Sequence, residues 1–220
     1  MPSPLRTSFS RRERRSNELR ERLFRAAIQL FARKGYSETT VEDITNAADV
    51  GKGTFFNYFP SKEHILASFG EMQIAKVQIA ADAALQTPLP IQMFLRNLAL
   101  DVTSEPARNP AVVRALLQAN LSSEPVRETM REIHSKATAL LAQIVEVGQQ
   151  RGEVRMDMAA TDIAQVLRQS LLGAMLIWSL YGDGSLESRI EKVFKILWNG
   201  LAVQADSPAP PLSTAEGTPR

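Results

Sequence analysis

The sequence predicts an all-α fold: an N-terminal three-helix head carrying a helix-turn-helix, followed by a larger helical body. Three observations carry that reading. Apolar residues recur three and four apart through most of the chain, and no segment alternates as a strand would. Glycines and prolines fall where helices stop and start. Between residues 39 and 63, two short helices meet at a tight turn, and the second packs basic, hydroxyl, amide and aromatic side chains into barely two turns.

Residues 1–15 are rich in Pro, Ser and Arg without periodicity and are expected to form a mobile basic arm. The head, residues 16–62, opens with a helix whose apolar face is Leu19, Leu23, Ala27, Leu30 and Phe31. Gly35 stops it, because glycine accepts the left-handed conformation beyond a helix end. Thr39-Thr40-Val41-Glu42 reads as a capping box, with Thr39 and Glu42 satisfying free backbone donors. The second helix turns Val41, Ile44, Ala47 and Ala48 inward and breaks at Asp49-Val50-Gly51. The third spans about Lys52 to Tyr58 and ends before Pro60. Ser61 is expected to cap the fourth, which reaches the mid-80s and opens the body, residues 63–204.

Further helices are expected over roughly 90–104, 110–121, 124–151, 159–182 and 185–203, with Pro110 and Pro125 in first turns and Gly152 just past an end. The last is the most periodic, through Leu186, Ile190, Val193, Phe194, Leu197, Trp198 and Leu201. Residues 205–220, rich in Pro, Ser, Thr and Ala, are expected to be disordered.

Composition narrows the function classes. The chain has 220 residues, 44% of them hydrophobic and 23% charged, which suits an ordinary globular protein. It has no cysteine, so disulfides and thiolate metal sites are excluded. No apolar run approaches bilayer length, and the arginine-rich start lacks the apolar stretch of a secretory signal, so a cytoplasmic protein without membrane contact is expected. Residues 1–62 hold twelve Lys and Arg against seven Asp and Glu, whereas the remainder hold fourteen against seventeen. A basic head on a mildly acidic body is the footprint of a polyanion binder, although a solvated arginine tail would give the same imbalance. No enzyme is expected: the residues three before His64 and His134 are Ser61 and Arg131, not Glu, and HExxH, P-loop and GxSxG motifs are missing. Neither a cofactor nor a metal is implied.

A helix-turn-helix places its second helix in the major groove of DNA. Val50, Phe55 and Phe59 suit the inner side, leaving Lys52, Thr54, Phe56, Asn57 and Tyr58 outward or flanking. Lys52 can approach guanine edges or phosphate, Asn57 can pair with adenine, and Phe56 can meet a thymine methyl. Thr54 and Tyr58 offer hydroxyls to phosphates, and Gly53 lets the backbone come close. Thr40 and Lys62, at the starts of the second and fourth helices, are expected to anchor phosphates. Each has a plainer reading: Asn57 and Thr40 as caps, Phe56 as core, Lys62 as a solvated lysine.

Thr39-Thr40-Val41-Glu42-Asp43-Ile44, Val50 through Phe59 and Ser61-Lys62-Glu63 together resemble the TetR family of transcriptional regulators, over roughly residues 17–66. The resemblance implies a homodimer on a palindromic double-stranded operator, and a C-terminal domain whose small-molecule inducer releases the DNA. The family's usual contacts fall on Thr40, Lys52, Thr54, Phe56, Asn57, Tyr58 and Lys62. Many members carry tyrosine where this chain has Phe56, so a phosphate contact through that hydroxyl is lost. A non-specific nucleic-acid binder or packaging protein is the alternative.

The body then has two expected roles, sensing and dimerisation. An apolar pocket between helices is expected from Phe69, Met72, Met93, Phe94, Leu98, Leu117 and Met130, with Leu116 beside them, and polar candidates Asn97, Asn120, His134 and Gln169. A dimer seam is expected from Leu167, Leu171, Ala174, Trp178 and Tyr181 on one long helix and Phe194, Leu197, Trp198 and Leu201 on the last, although either stripe could be intramolecular core.

Overall fold

The computed structural model describes residues 11–203. Its elements are α1 (Arg11–Lys34), α2 (Val41–Ala47), α3 (Lys52–Tyr58), α4 (Glu63–Gln86), α5 (Ile91–Ser104), a 3-10 turn (Pro106–Arg108), α6 (Pro110–Ser122), α7 (Glu124–Gln150), α8 (Ala160–Tyr181) and α9 (Leu186–Leu201). An isolated antiparallel bridge between Val154 and Ala202 ties the α7–α8 link to the end of α9. Helix α1 already begins at Arg11, so residues 11–15 of the expected arm are helical. Residues 1–10 and the expected disordered tail lie outside the described residues.

Gly35 ends α1 at φ +88, as its position suggests. The capping box is displaced by one residue. Thr40 is the N-cap: its hydroxyl accepts from Asp43 N at 3.1 Å while Asp43 Oδ2 accepts from Thr40 N at 2.8 Å. Thr39 is buried instead, its hydroxyl donating to Gly35 O at 2.7 Å. Asp43 also accepts from Lys34 at 2.6 Å; that contact and the Thr40 bonds hold its carboxyl well below the usual range. In α2 the inward set is Ile44, Thr45 and Ala48 rather than Ala47, which is exposed. Ser61 does not cap α4. Its hydroxyl is spent on the Glu63 carboxylate and on His64 Nδ1.

The head core gathers Leu23, Ala27, Phe31, Ile44, Phe55 and Phe59, and continues into the body through Ile65 and Leu66 of α4 and Ala115 and Ala119 of α6. Each fully buried side chain of this size contributes about 1.5–3 kcal/mol. Helices α4 and α7 are drawn close at Gly70, where a Cβ would stand 2.5 Å from Ile133 Cδ1. A larger residue there would force the Ile133 side chain to shift.

Helix α8 is the most apolar of the long helices among the described residues. Its 22 residues, with a mean hydropathy of 1.3 in an 18-residue window, are long and apolar enough by length and composition to cross a membrane. Its packing gives another reason for that composition: it lies against α6, α7 and α9 and also lines a cavity.

Candidate functional site

The outer face of α3 is open. Phe55 and Phe59 are buried, while Lys52, Gly53, Phe56 and Asn57 are exposed and Thr54 and Tyr58 half-buried. Phe56 is 53% exposed, with its ring edge-on to Phe55, so the core does not need it. An exposed phenylalanine beside an exposed asparagine on a two-turn helix is what base-edge contact requires. Thr40 stands at the exposed N-terminus of α2, although its hydroxyl already serves the cap.

Of two glycines on this face, Gly51 is the N-cap of α3, where glycine is well accepted, but Gly53 has no structural reason among the described residues. A Cβ at Gly51 or Gly53 would meet nothing within 4 Å, and the left-handed residue of the turn is Asp49, at φ 50. Glycine inside a helix is unfavourable by about 1 kcal/mol relative to alanine. At Gly53 nothing among the described residues offsets that penalty.

Two expected contacts look different in three dimensions. Lys52 Nζ pairs with Glu42 Oε2 at 2.8 Å, both groups exposed, an interaction worth at most about 1 kcal/mol and readily exchanged for a phosphate. Lys62 is turned inward: its ammonium donates to Tyr36 O at 3.0 Å, Thr39 O at 3.1 Å and Ser37 O at 3.4 Å, and sits 4.4 Å from the Tyr36 ring centre. With its donors engaged, Lys62 holds the α1–α2 link onto α4 rather than standing free for a phosphate. Tyr36 Oη reinforces this by donating to Glu63 Oε1 at 2.6 Å. Burial and the Glu63 carboxylate push the Tyr36 phenol well above its usual range. Burial opposes ionisation of Glu63, but hydrogen bonds from Ser61 and Tyr36 outweigh it and bring the carboxyl below its ordinary value.

In the body, α4–α9 enclose a cavity of about 430 Å³. Six expected pocket residues line it: Phe69, Leu98, Leu117, Asn120, Met130 and His134, with Leu116 beside them. Five do not. Met72, Met93, Asn97 and Gln169 face outward, and Phe94 packs into the core of α4, α5 and α7. Apolar composition marked the helix but not its side. Lining residues that sequence reasoning missed include Gln73, Ile133, Arg168, Leu172 and Leu176. Gln73 Oε1 is buried without a hydrogen-bond partner, an acceptor open to a ligand donor. Arg168 carried a readable signal, being the sole charged residue of α8 after Asp162. Burial first, then the Arg168 charge, lowers the His134 pKa, so its imidazole is neutral at pH 7.

Comparison with known proteins joins the two sites. The model for bacterial regulatory proteins of the tetR family matches residues 23–69, and the tetracyclin repressor-like C-terminal domain matches residues 106–194. The transcriptional regulator EthR of Mycolicibacterium smegmatis is 30% identical over 168 residues, covering 75% of this chain and 77% of that one. The chain belongs to the TetR family. Two further relatives fit that placement. The transcriptional repressor DhaR of Mycobacterium sp. strain GP1 is 28% identical over 163 residues, covering 72% of this chain and 81% of that one. The crystal structure of the Thermus thermophilus repressor FadR, in complex with lauroyl-CoA, superposes with a TM-score of 0.63 at 30% identity, covering 87% of this chain and 98% of that one. As a TetR-family member the chain is a helix-turn-helix transcriptional regulator.

The expected seam of this TetR-family chain is corrected by burial. Leu167, Ala174, Trp178 and Phe194 are buried inside the chain, Leu171 and Leu197 line the cavity, and Trp198 and Leu201 pack partly against the core. The four buried side chains have little area left to offer a partner, whereas Leu171, Leu197, Trp198 and Leu201 are half-buried. Of the expected set, Tyr181 alone is well exposed, at 74%. The uncovered apolar side of α8 is instead Val166, Gly173, Ile177, Leu180 and Tyr181, and α9 adds Ile196, Gly200 and, just beyond it, Val203.

Proposed function

We propose that this chain is a ligand-responsive repressor that binds a palindromic operator as a homodimer and is released by a small, largely apolar inducer. The observation that carries the reading is the pairing of an open, chemically mixed α3 face with an apolar cavity between the body helices in one chain. That the FadR relative is found in complex with lauroyl-CoA supports a ligand-responsive reading.

Thr40, Lys52, Gly53, Thr54, Phe56, Asn57 and Tyr58 form the DNA face, and Lys62 acts by positioning rather than by direct contact. The division into a head (16–62) and a sensing and dimerising body (63–204) belongs to the same reading, and places the protein where its operator is. The uncovered stripes of α8 and α9 supply the self-complementary seam. Two routes connect cavity and DNA. Helix α4 runs from Lys62 past Phe69 and Gln73 on the cavity wall. Helix α6 lines the cavity with Val113 and Leu117 while placing Ala115 and Ala119 in the head core. A ligand that shifts either helix changes the spacing of the two recognition helices, which must match about 34 Å of DNA to engage one face.

Selection of bound fragments from sheared genomic DNA tests this reading. One enriched palindrome, bound far more tightly than its scramble, is expected. Binding that ignores sequence and merely fades with salt would leave a general nucleic-acid binder.

A further inference from the structure

We propose that the molecule sensed by this chain is an amphiphile with an acidic head group, its apolar chain filling the cavity and its head held by Arg168. This rests on the ligand-responsive reading above and adds the chemistry of the ligand.

The cavity does not end at its apolar walls. A second, more open cleft adjoins it and shares Asn120, Met130, His134 and Arg168 with it. Beyond those four residues the lining changes character: Arg127, Arg131, Thr138 and Gln165 replace leucine and valine. Among the described residues no Asp or Glu lines either space. The whole volume therefore runs from hydrocarbon to a mouth that is polar and basic.

Arg168 stands at the junction, and its situation differs from that of the other two arginines. Arg127 and Arg131 pair with Glu124 and Glu128. Among the described residues Arg168 has no carboxylate within 4 Å; its Nε donates to Thr138 Oγ1 at 2.9 Å. Burial alone lowers its pKa, with no acidic neighbour to oppose that. A half-buried guanidinium without a counter-ion is unfavourable unless something arrives to neutralise it. A carboxylate or phosphate does so with two parallel hydrogen bonds that a neutral ligand cannot form. The neutral His134 ring beside it offers a further hydrogen bond without adding negative charge.

Calorimetric titration of the full-length protein with three ten-carbon probes tests the inference. Decanoate carries a carboxylate, decanoyl-CoA carries phosphates, and decanol is neutral. At least one acidic probe is expected to bind ten or more times tighter than decanol. Arg168→Gln should remove that preference, leave decanol binding within about twofold, and be partly rescued by Arg168→Lys. The tighter of the two acids then assigns the head as carboxylate or phosphate. If decanol binds as well as both acids, or Arg168→Gln weakens all three alike, the head-group inference is wrong while the apolar site stands. If no probe binds, the apolar cavity reading falls and takes this one with it. The preference of the unmodified protein decides the matter even if a variant fails to fold.

Discussion

Helices α3 and α8 are both only partly covered by the rest of the chain, yet they leave opposite chemistries outside. α3 exposes a lysine, a phenylalanine and an asparagine on two turns, whereas the last three turns of α8 expose leucine, isoleucine and tyrosine. The first surface is heterogeneous at the scale of single atoms, as reading base edges demands. The second is uniform, as burial against another apolar surface demands, because the hydrophobic effect is not directional. What a helix leaves uncovered thus tells which kind of partner it awaits.

The largest effect should separate two neighbouring rings of α3. Phe55→Ala is expected to lower unfolding free energy by about 3–5 kcal/mol, because Phe55 is fully buried. Phe56→Ala should stay within about 0.5 kcal/mol in stability and instead weaken operator binding. Denaturant unfolding and a DNA titration measure the two; equal stability losses would erase the distinction between inner and outer faces.

A smaller effect should appear on α8 and α9. Ile177→Lys with Ile196→Lys leaves the monomer intact, since both residues are exposed within it. Dimerisation should weaken by about 2 kcal/mol or more, roughly thirtyfold, by sedimentation equilibrium. An unchanged dimer would place the seam elsewhere. The smallest effect concerns Gly53. Gly53→Ala should raise stability by up to about 1 kcal/mol while reducing operator affinity, a split that only an outside partner explains. If affinity holds, the glycine is not there for DNA.

The same contrast explains what could be read from sequence. The head was legible because its information is local: Val50 through Phe59 specify a turn, two core aromatics and an outward face within ten residues. Errors there came from choices between adjacent residues, such as Thr39 or Thr40 as cap, and what could not be read was the setting of Lys62, whose carbonyl partners lie 23 to 26 positions earlier. Body helices were legible as helices but not by side. Helix α8 is apolar in three directions: Trp178 and Ala174 face the core, Leu171 and Leu172 the cavity, Ile177 and Leu180 the outside. Periodicity locates an apolar stripe on a helix, but three stripes on the second half of α8 leave no polar face there to orient it. Met93 and Leu117 look alike in sequence and differ only in what the neighbouring helices place over them.

The glycine at which α4 meets α7 has a mechanical meaning. If α4 pivots where it lies closest to α7, at Gly70 against Ile133, that glycine is the fulcrum. From Gly70 to the first residue of α4 is about 10 Å of helix. A rocking of roughly 10° about that point would carry the start of α4, and the head clamped to it, by about 2 Å. Both subunits of a dimer would rock together, so a small molecule lodged near the fulcrum would displace the DNA-reading surfaces at the far ends of two lever arms.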